Sequence, residues 1–245
     1  MTTDDAGAPR PRFFPWAQAS ERERGGRVAL SRDQIVDAAI RVLDAEGLDA
    51  LSMRRLGQEL GSGATSLYWH IRNKDELLDL VLDTIIGEVI PDLKPGLGWR
   101  ETSEVAARSL RRVLVRHRGI APIMGERPTF GPNSLQALEL LLTPFIAAGF
   151  GPEEALLAAT TVVNWGSGFA VFEVRDPVGP AASAADRQAF LAEFYGFVAS
   201  LPPERYPTTL SLLPYGPRLT SDLQFEYALQ RLLDGIEASR AGHGA

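Results

Sequence analysis

Apolar positions along residues 31–89 recur at helical spacing. Ile35, Ala38, Ala39, Val42 and Leu43 fall at i, i+3, i+4, i+7 and i+8, the stripe of a helix that faces a core. Ser31 precedes the stripe as an N-cap, Asp33 puts a carboxylate in the first turn, and Gly47 closes the helix. A short helix over about 52–60 follows, capped by Ser52, with Leu56 and Leu60 turned inward and Gly61 at its end. Ser62–Gly63 reads as a tight turn, and the next short helix is predicted over 64–70. Two short helices joined by a Gly-containing turn make a helix-turn-helix pattern. After a turn at Arg72–Asn73, a longer helix over 74–89 carries Leu77, Leu78, Val81 and Ile85 on one side. Pro91 and Pro95 end it, and PDLKPGLG (91–98) reads as a connector.

The remainder keeps the helical period. Helices are predicted over 99–117, 131–148, 152–173, 185–200 and 219–239, with a shorter piece near 120–124. No stretch alternates with period two for long, so the expected fold class is all-α. Residues 1–30 lack periodicity and read as a flexible N-terminal arm. The expected domains are that arm, a helix-turn-helix domain over 31–90 and a helical domain over 91–245. DPVGPAASA (176–184) and LPPERYPTTLSLLPYGPR (201–218) read as long connectors, either functional lids or plain excursions.

Composition narrows the function classes. The chain has 245 residues and no Cys, which excludes disulfides and thiolate metal sites and fits a reducing cytoplasm. No apolar run approaches the ~20 residues of a membrane span, and MTTDDAGAPRPR has no apolar segment behind it, so neither a span nor a secretory signal is expected. The net charge of −6 argues against indiscriminate polyanion binding. Residues 50–74 nevertheless hold Arg54, Arg55, Arg72 and Lys74 against Glu59 alone. Arg22, Arg24 and Arg27 in the arm are either solvated or poised to touch DNA. The histidines are His70, His117 and His243, without a metal-binding pair, and no HExxH, P-loop or GxSxG occurs. No enzyme, metal or cofactor is expected.

The run SLYWHIRNKDELL (66–78) concentrates the chemistry. Three consecutive helical residues point in three directions, so at least one of Tyr68, Trp69 and His70 faces water. If the second short helix lies in a DNA major groove, small polar residues belong at its start. Ala64, Thr65 and Ser66 fit. Leu67 should turn inward, Tyr68 and His70 reach phosphates, and the Trp69 ring pack at the edge and help hold the head together. Lys74 starts the next helix, where ammonium and backbone N–H groups can hold a phosphate together. Arg54 is placed to pair with a guanine edge. The alternative is that the three rings merely cover a small core.

At these residues the chain resembles the tetracycline-repressor (TetR) family. The resemblance rests on IVDAA (35–39), EGLDALSMRRLGQELG (46–61) and SLYWHIRNKDELLD (66–79), and continues more loosely through LRRVLVRHRG (110–119), GERP (125–128) and AGFG (148–151). It implies an N-terminal helix-turn-helix DNA-binding domain and a helical C-terminal domain for ligand binding and dimerisation. The implied assembly is a homodimer built on helices 152–173 and 219–239, reading a palindromic double-stranded operator. By position, the implied DNA contacts are Arg54, Ala64, Thr65, Ser66, Tyr68, His70 and Lys74.

In such proteins a small molecule in the C-terminal domain shifts the dimer away from its DNA-competent state, here through helix 74–89. Where tetracycline-binding members ligate magnesium through an imidazole, this chain has Met124, a poor ligand for a hard cation, and Ala106 and Leu110 replace expected polar and aromatic groups. The expected effector is instead hydrophobic or aromatic. Its candidate lining is Trp99, Leu110, Leu114, Met124, Phe130, Leu138, Asn164, Trp165, Phe169 and Phe172, residues that serve equally well as core or interface. The competing reading is a helical interaction protein of the same fold without operator binding.

Overall fold

The computed structural model describes residues 30–125, 127, 130–175 and 183–242, and every regular element among them is helical. The expectations for the N-terminal arm and for most of 176–184 fall outside these residues. The chain divides into two compact units, Met1–Val171 and Phe172–Ala245.

The first unit opens with α1 (Arg32–Glu46). A reciprocal cap starts it: Gln34 N–H donates to Ser31 Oγ at 3.1 Å, and Ser31 N–H to Gln34 Oε1 at 2.9 Å. Gly47 ends it at φ 82°, a conformation that costs other residues a Cβ clash. Helix α2 (Met53–Glu59) is capped by Ser52, whose Oγ accepts the Arg55 N–H at 3.1 Å. One turn, α3 (Ala64–Leu67), follows, and then α4 (Lys74–Gly87), capped by Asn73. Ile35, Leu56, Leu67, Ile71, Leu77 and Val81 are completely buried. Each such side chain removed from water contributes about 1.5–3 kcal/mol. The sharp α2–α3 corner depends on Gly57, where a Cβ would lie 2.8 Å from the Ser62 carbonyl oxygen.

Beyond α4, a 3₁₀ turn over Ile90–Asp92 leads to α5 (Trp99–Arg116). Asp92 pins this connector to α5, accepting from Ser109 Oγ at 2.6 Å and from Arg112. Helices α6 (Ala121–Met124), α7 (Pro132–Ala147) and α8 (Pro152–Glu173) complete the unit, α8 continuing just past its boundary. Trp99, Phe145 and Phe150 form a buried aromatic trio with ring centroids 5.1–5.4 Å apart. Helix α8 crosses α5 where the space a Gly166 Cβ would fill is 3.3 Å from the Ala107 backbone. At 22 residues, α8 is long and apolar enough to cross a membrane, which the sequence expectation had not allowed for. Its Ala155, Ala158, Ala159, Val162, Gly166 and Ala170 are instead buried in the fold.

Helix α4 is held to the later helices at three stations. Near its start, Arg127 binds Asp75 and Asp79. At its middle, buried Asp83 caps α7, accepting Ser134 N–H at 2.9 Å, Ser134 Oγ at 2.8 Å and Asn133 N–H at 3.2 Å. At its end, Glu88 meets Arg116 and lies 3.3 Å from His117 Nε2, while His117 Nδ1 lies 2.7 Å from Asp44 of α1.

In the second unit, α9 (Ala184–Ala199) starts at a Ser183–Asp186 capping box. Residues 201–218, expected as a connector, instead contain α10 (Pro207–Leu212) and a 3₁₀ turn (Leu213–Arg218). Pro207 and Pro214 stand at the starts of these elements, where the missing N–H costs nothing, so they open helical turns rather than break them. Helix α11 (Ser221–Gly242) buries Phe225, Leu229 and Leu233 at intervals of four.

Candidate nucleic-acid interface and effector core

The predicted reading helix ends earlier than its sequence suggests. Only Ala64–Leu67 is helical, and Tyr68–His70 form a turn. Both His70 N–H and Ile71 N–H donate to the Leu67 carbonyl at 2.9 Å, which brings Ile71 back beneath Leu67. The turn aims Trp69 outward, where it is 77% exposed. The expectation that the Trp69 ring holds the head together is therefore corrected: Ile71, absent from the candidates, does so. An apolar residue four after Leu67 was the signal for it.

The remaining DNA-contact candidates lie on one short stretch and its flanks. Thr65 and Tyr68 are exposed, the latter by 54%, while Ala64, Ser66 and His70 are half-buried. Arg54 is exposed on the first turn of α2. Its neighbour Arg55 is committed elsewhere: Nη2 lies 2.5 Å from Glu46 and 2.9 Å from Glu59. These bonds raise the Arg55 pKa and hold the Glu46 carboxyl below its ordinary value.

Lys74 is half-buried at the start of α4, and its Nζ donates to the Leu48 carbonyl at 3.2 Å. An ammonium has three donors, so two remain for a phosphate. Buried Glu76 was also missed. It accepts Arg72 N–H and Nε at 2.9 Å each and Arg32 Nη2 at 2.5 Å, tying the starts of α1 and α4 together. The Asn73-x-x-Glu76 spacing, a cap followed by Glu, was its signal.

The effector candidates separate into groups. Leu110 and Leu114 are buried on α5, and Trp99 sits in the aromatic trio. Trp165 and Phe169 are half-buried on α8 with centroids 5.4 Å apart, and the Arg111 guanidinium carbon lies 5.4 Å from the Phe169 centroid. Arg111 adds a cation that the candidate list lacked. Met124 and Leu138 are half-buried on α6 and α7. Asn164 is exposed on the face of α8 that also carries Leu157, Thr160 and Thr161, opposite the buried Val162 and Gly166. Phe130 (54%) and Phe172 (72%) are exposed as well. Asn164, Phe130 and Phe172 thus face solvent, whereas Leu110 and Leu114 are buried. Among the described residues, no group of three or more His, Cys, Asp and Glu side chains could hold a metal ion.

Two family models match the chain. Residues 35–81 match that of the tetR family of bacterial regulatory proteins, and residues 90–240 match the tetracyclin repressor-like C-terminal domain. The chain is 34% identical to the HTH-type transcriptional repressor DrrR1 of Streptomyces coeruleorubidus, over 94% of this chain and 87% of that protein. It is 39% identical to an HTH-type transcriptional regulator of Saccharopolyspora erythraea, over 67% of this chain and 68% of that one. Among solved structures it is similar to apo ActR of Streptomyces coelicolor, with 36% identity, a TM-score of 0.75, and coverage of 90% of this chain and 100% of that chain. ActR in complex with actinorhodin aligns with the same identity and TM-score over 87% of this chain and 98% of that one. With both halves matched, the chain belongs to the tetR family of helix-turn-helix DNA-binding transcriptional regulators.

Proposed function

We propose that this regulator is an effector-responsive repressor that binds a palindromic operator as a homodimer. The observation that supports this most is the one-turn α3, seated on buried Leu67 and Ile71, with Thr65 and Tyr68 exposed and Arg54 and Lys74 on its flanks. Such an arrangement presents small groups to base edges and cations to phosphates. Arg54, Ala64, Thr65, Ser66, Tyr68, His70 and Lys74 are its DNA contacts in this reading. Residues 31–90 form the reading head and 91–245 the effector and dimerisation domain. Exposed Leu156 and Leu157 on α8, and Leu223 and Tyr227 on α11, are the faces a second copy would cover.

The effector is a small hydrophobic or aromatic molecule. Half-buried Trp165 and Phe169 with Arg111 beside them suit an aromatic ligand, and ActR has been solved with actinorhodin and with (S)-DNPA. The Met124 thioether suits no magnesium chelate, so tetracycline with Mg²⁺ at micromolar concentration should leave the DNA complex intact. Members of this family are in general not enzymes, and its DNA-binding members are in general cytoplasmic. We assign this chain no catalytic activity.

Titration onto the DNA upstream of its own gene tests the reading. Specific retention should weaken with salt and with Tyr68→Ala or Lys74→Ala. Affinity indifferent to both changes would favour the interaction-protein alternative, against which the exposed Arg54 stands.

A further inference from the structure

Arg72 stands between His70 and Lys74, and its guanidinium is fixed at one end only. Nε donates to Glu76 Oε2 at 2.9 Å, and the Arg72 backbone N–H donates to the same oxygen at 2.9 Å. The other carboxylate oxygen, Oε1, accepts from Arg32 Nη2 at 2.5 Å. Glu76 is itself buried and pinned from behind, its N–H donating to Asn73 Oδ1 at 2.8 Å. Both of its oxygens are engaged, and neither is bonded to the outer nitrogens of Arg72. Nη1 and Nη2 of Arg72 have no partner among the described residues, and the side chain is 47% exposed.

An ordinary surface arginine must give up rotamer freedom before it can grip an anion. Here Glu76 already holds the guanidinium, so its two outer N–H groups form a fork of settled orientation. Charge is in surplus as well. One carboxylate faces two guanidinium groups, which leaves one positive charge uncompensated at this spot. A planar, charged fork matches two oxygens of a phosphate.

The backbone sets the direction. Asn73 is extended, at φ −159° and ψ 176°. Across an extended residue the two flanking side chains leave on one side. Arg72 and Lys74 therefore share a side, about 6.6 Å apart along the chain. The Asn73 side chain turns the other way and caps α4.

We propose that Arg72 is a further DNA contact, gripping through both Nη groups the phosphate next to the one bound by Lys74, with Glu76 holding the fork in place. This contact rests on the operator reading above and lies outside its seven residues.

The test uses the full-length chain and duplexes covering the DNA upstream of its own gene, in which single phosphates are replaced in turn by neutral methylphosphonates. With the unaltered chain, replacement of a gripped phosphate should weaken retention about tenfold, the loss of a charge-assisted contact. Arg72→Ala should weaken retention of the unmodified duplex by a similar factor and abolish the penalty at one phosphate per half-site, sparing the others. Lys74→Ala should abolish it at the neighbouring phosphate. Arg72→Lys should keep a reduced penalty, because an ammonium has the charge without the fork. Lys94→Ala, which removes an exposed cation from the connector, should change nothing. A merely structural Arg72 would weaken every duplex alike; that pattern, or full retention by Arg72→Ala, overturns the assignment. If the unaltered chain retains no duplex, the operator reading fails and this contact with it. If it retains DNA and Arg72→Ala leaves every penalty in place, the contact alone fails.

Discussion

Trp69 and Ile71 show how little separates a surface ring from a core anchor. Helical spacing made Leu67 readable as an inward residue, because its partners Leu56 and Leu60 already defined an inside. It did not reveal that the helix stops at Leu67, since no Gly or Pro marks the stop. The chain simply turns, and the turn exchanges the directions of the next residues. Replacing Ile71 with Ala should therefore cost about 2–5 kcal/mol in urea unfolding, as for other buried aliphatic truncations. Trp69→Ala should stay within about 0.5 kcal/mol, as at most exposed sites. Comparable losses for the two variants would contradict the described packing. Asn164 carries the same lesson on α8. Composition marked it as a polar group in an apolar run, and only the crossing with α5 shows which face is inside.

Caps and corners account for most of what was readable in the elements. Ser31 and Ser52 start their helices as expected because a short acceptor side chain ahead of an apolar stripe has few other uses, and Asn73, expected only as part of a turn, does the same for α4. The α10 segment was unreadable because proline both ends and begins helices, and only the local geometry distinguishes the two. Gly57 holds the narrowest corner. Gly57→Ala must move the Ser62 carbonyl, so a loss of about 1–3 kcal/mol is expected, with weaker operator retention because α3 shifts with it.

Acid acts on the same local bonds. Glu46 is held below its ordinary 4.5 by Arg55, Asp92 below 3.8 by Ser109 and then Arg112, and Asp186 below 3.8 by Ser183. A depressed carboxyl stabilises the fold above its unfolded value and loses that contribution as pH falls toward its folded value. Stability should thus be flat near neutrality with respect to these groups and decline below about pH 4.5. Asp92→Asn should make Tm less sensitive to pH in that range.

For the molecule as a whole, the order and number of long helices could be read from periodicity, whereas the faces they share could not. Helix α8 is apolar nearly all round. Its sequence therefore names no inside, and three of its large side chains, Leu156, Leu157 and Phe172, end up exposed. If a second copy covers them, Leu157→Asp should give a monomer in sedimentation that no longer retains operator DNA, while the isolated chain keeps its helical circular dichroism. A dimer that persists would move the interface elsewhere.

Glu76 and Glu59 have a consequence for how strongly salt governs the DNA complex. Residues 30–74 contain six cationic side chains: Arg32, Arg41, Arg54, Arg55, Arg72 and Lys74. Arg32 and Arg72 share the single carboxylate of Glu76, and Arg41 and Arg55 pair with Glu59, the latter also with Glu46. Against six cations these three carboxylates leave a surplus of three, carried by Arg54, Lys74 and the Arg32–Glu76–Arg72 cluster, to displace condensed counterions from the duplex. At about 0.9 in the logarithmic salt slope per neutralised phosphate, the described part of the helix-turn-helix domain should release roughly three ions rather than six. Most of its discrimination must then come from fit to the groove, which suits an acidic protein that has to ignore bulk DNA.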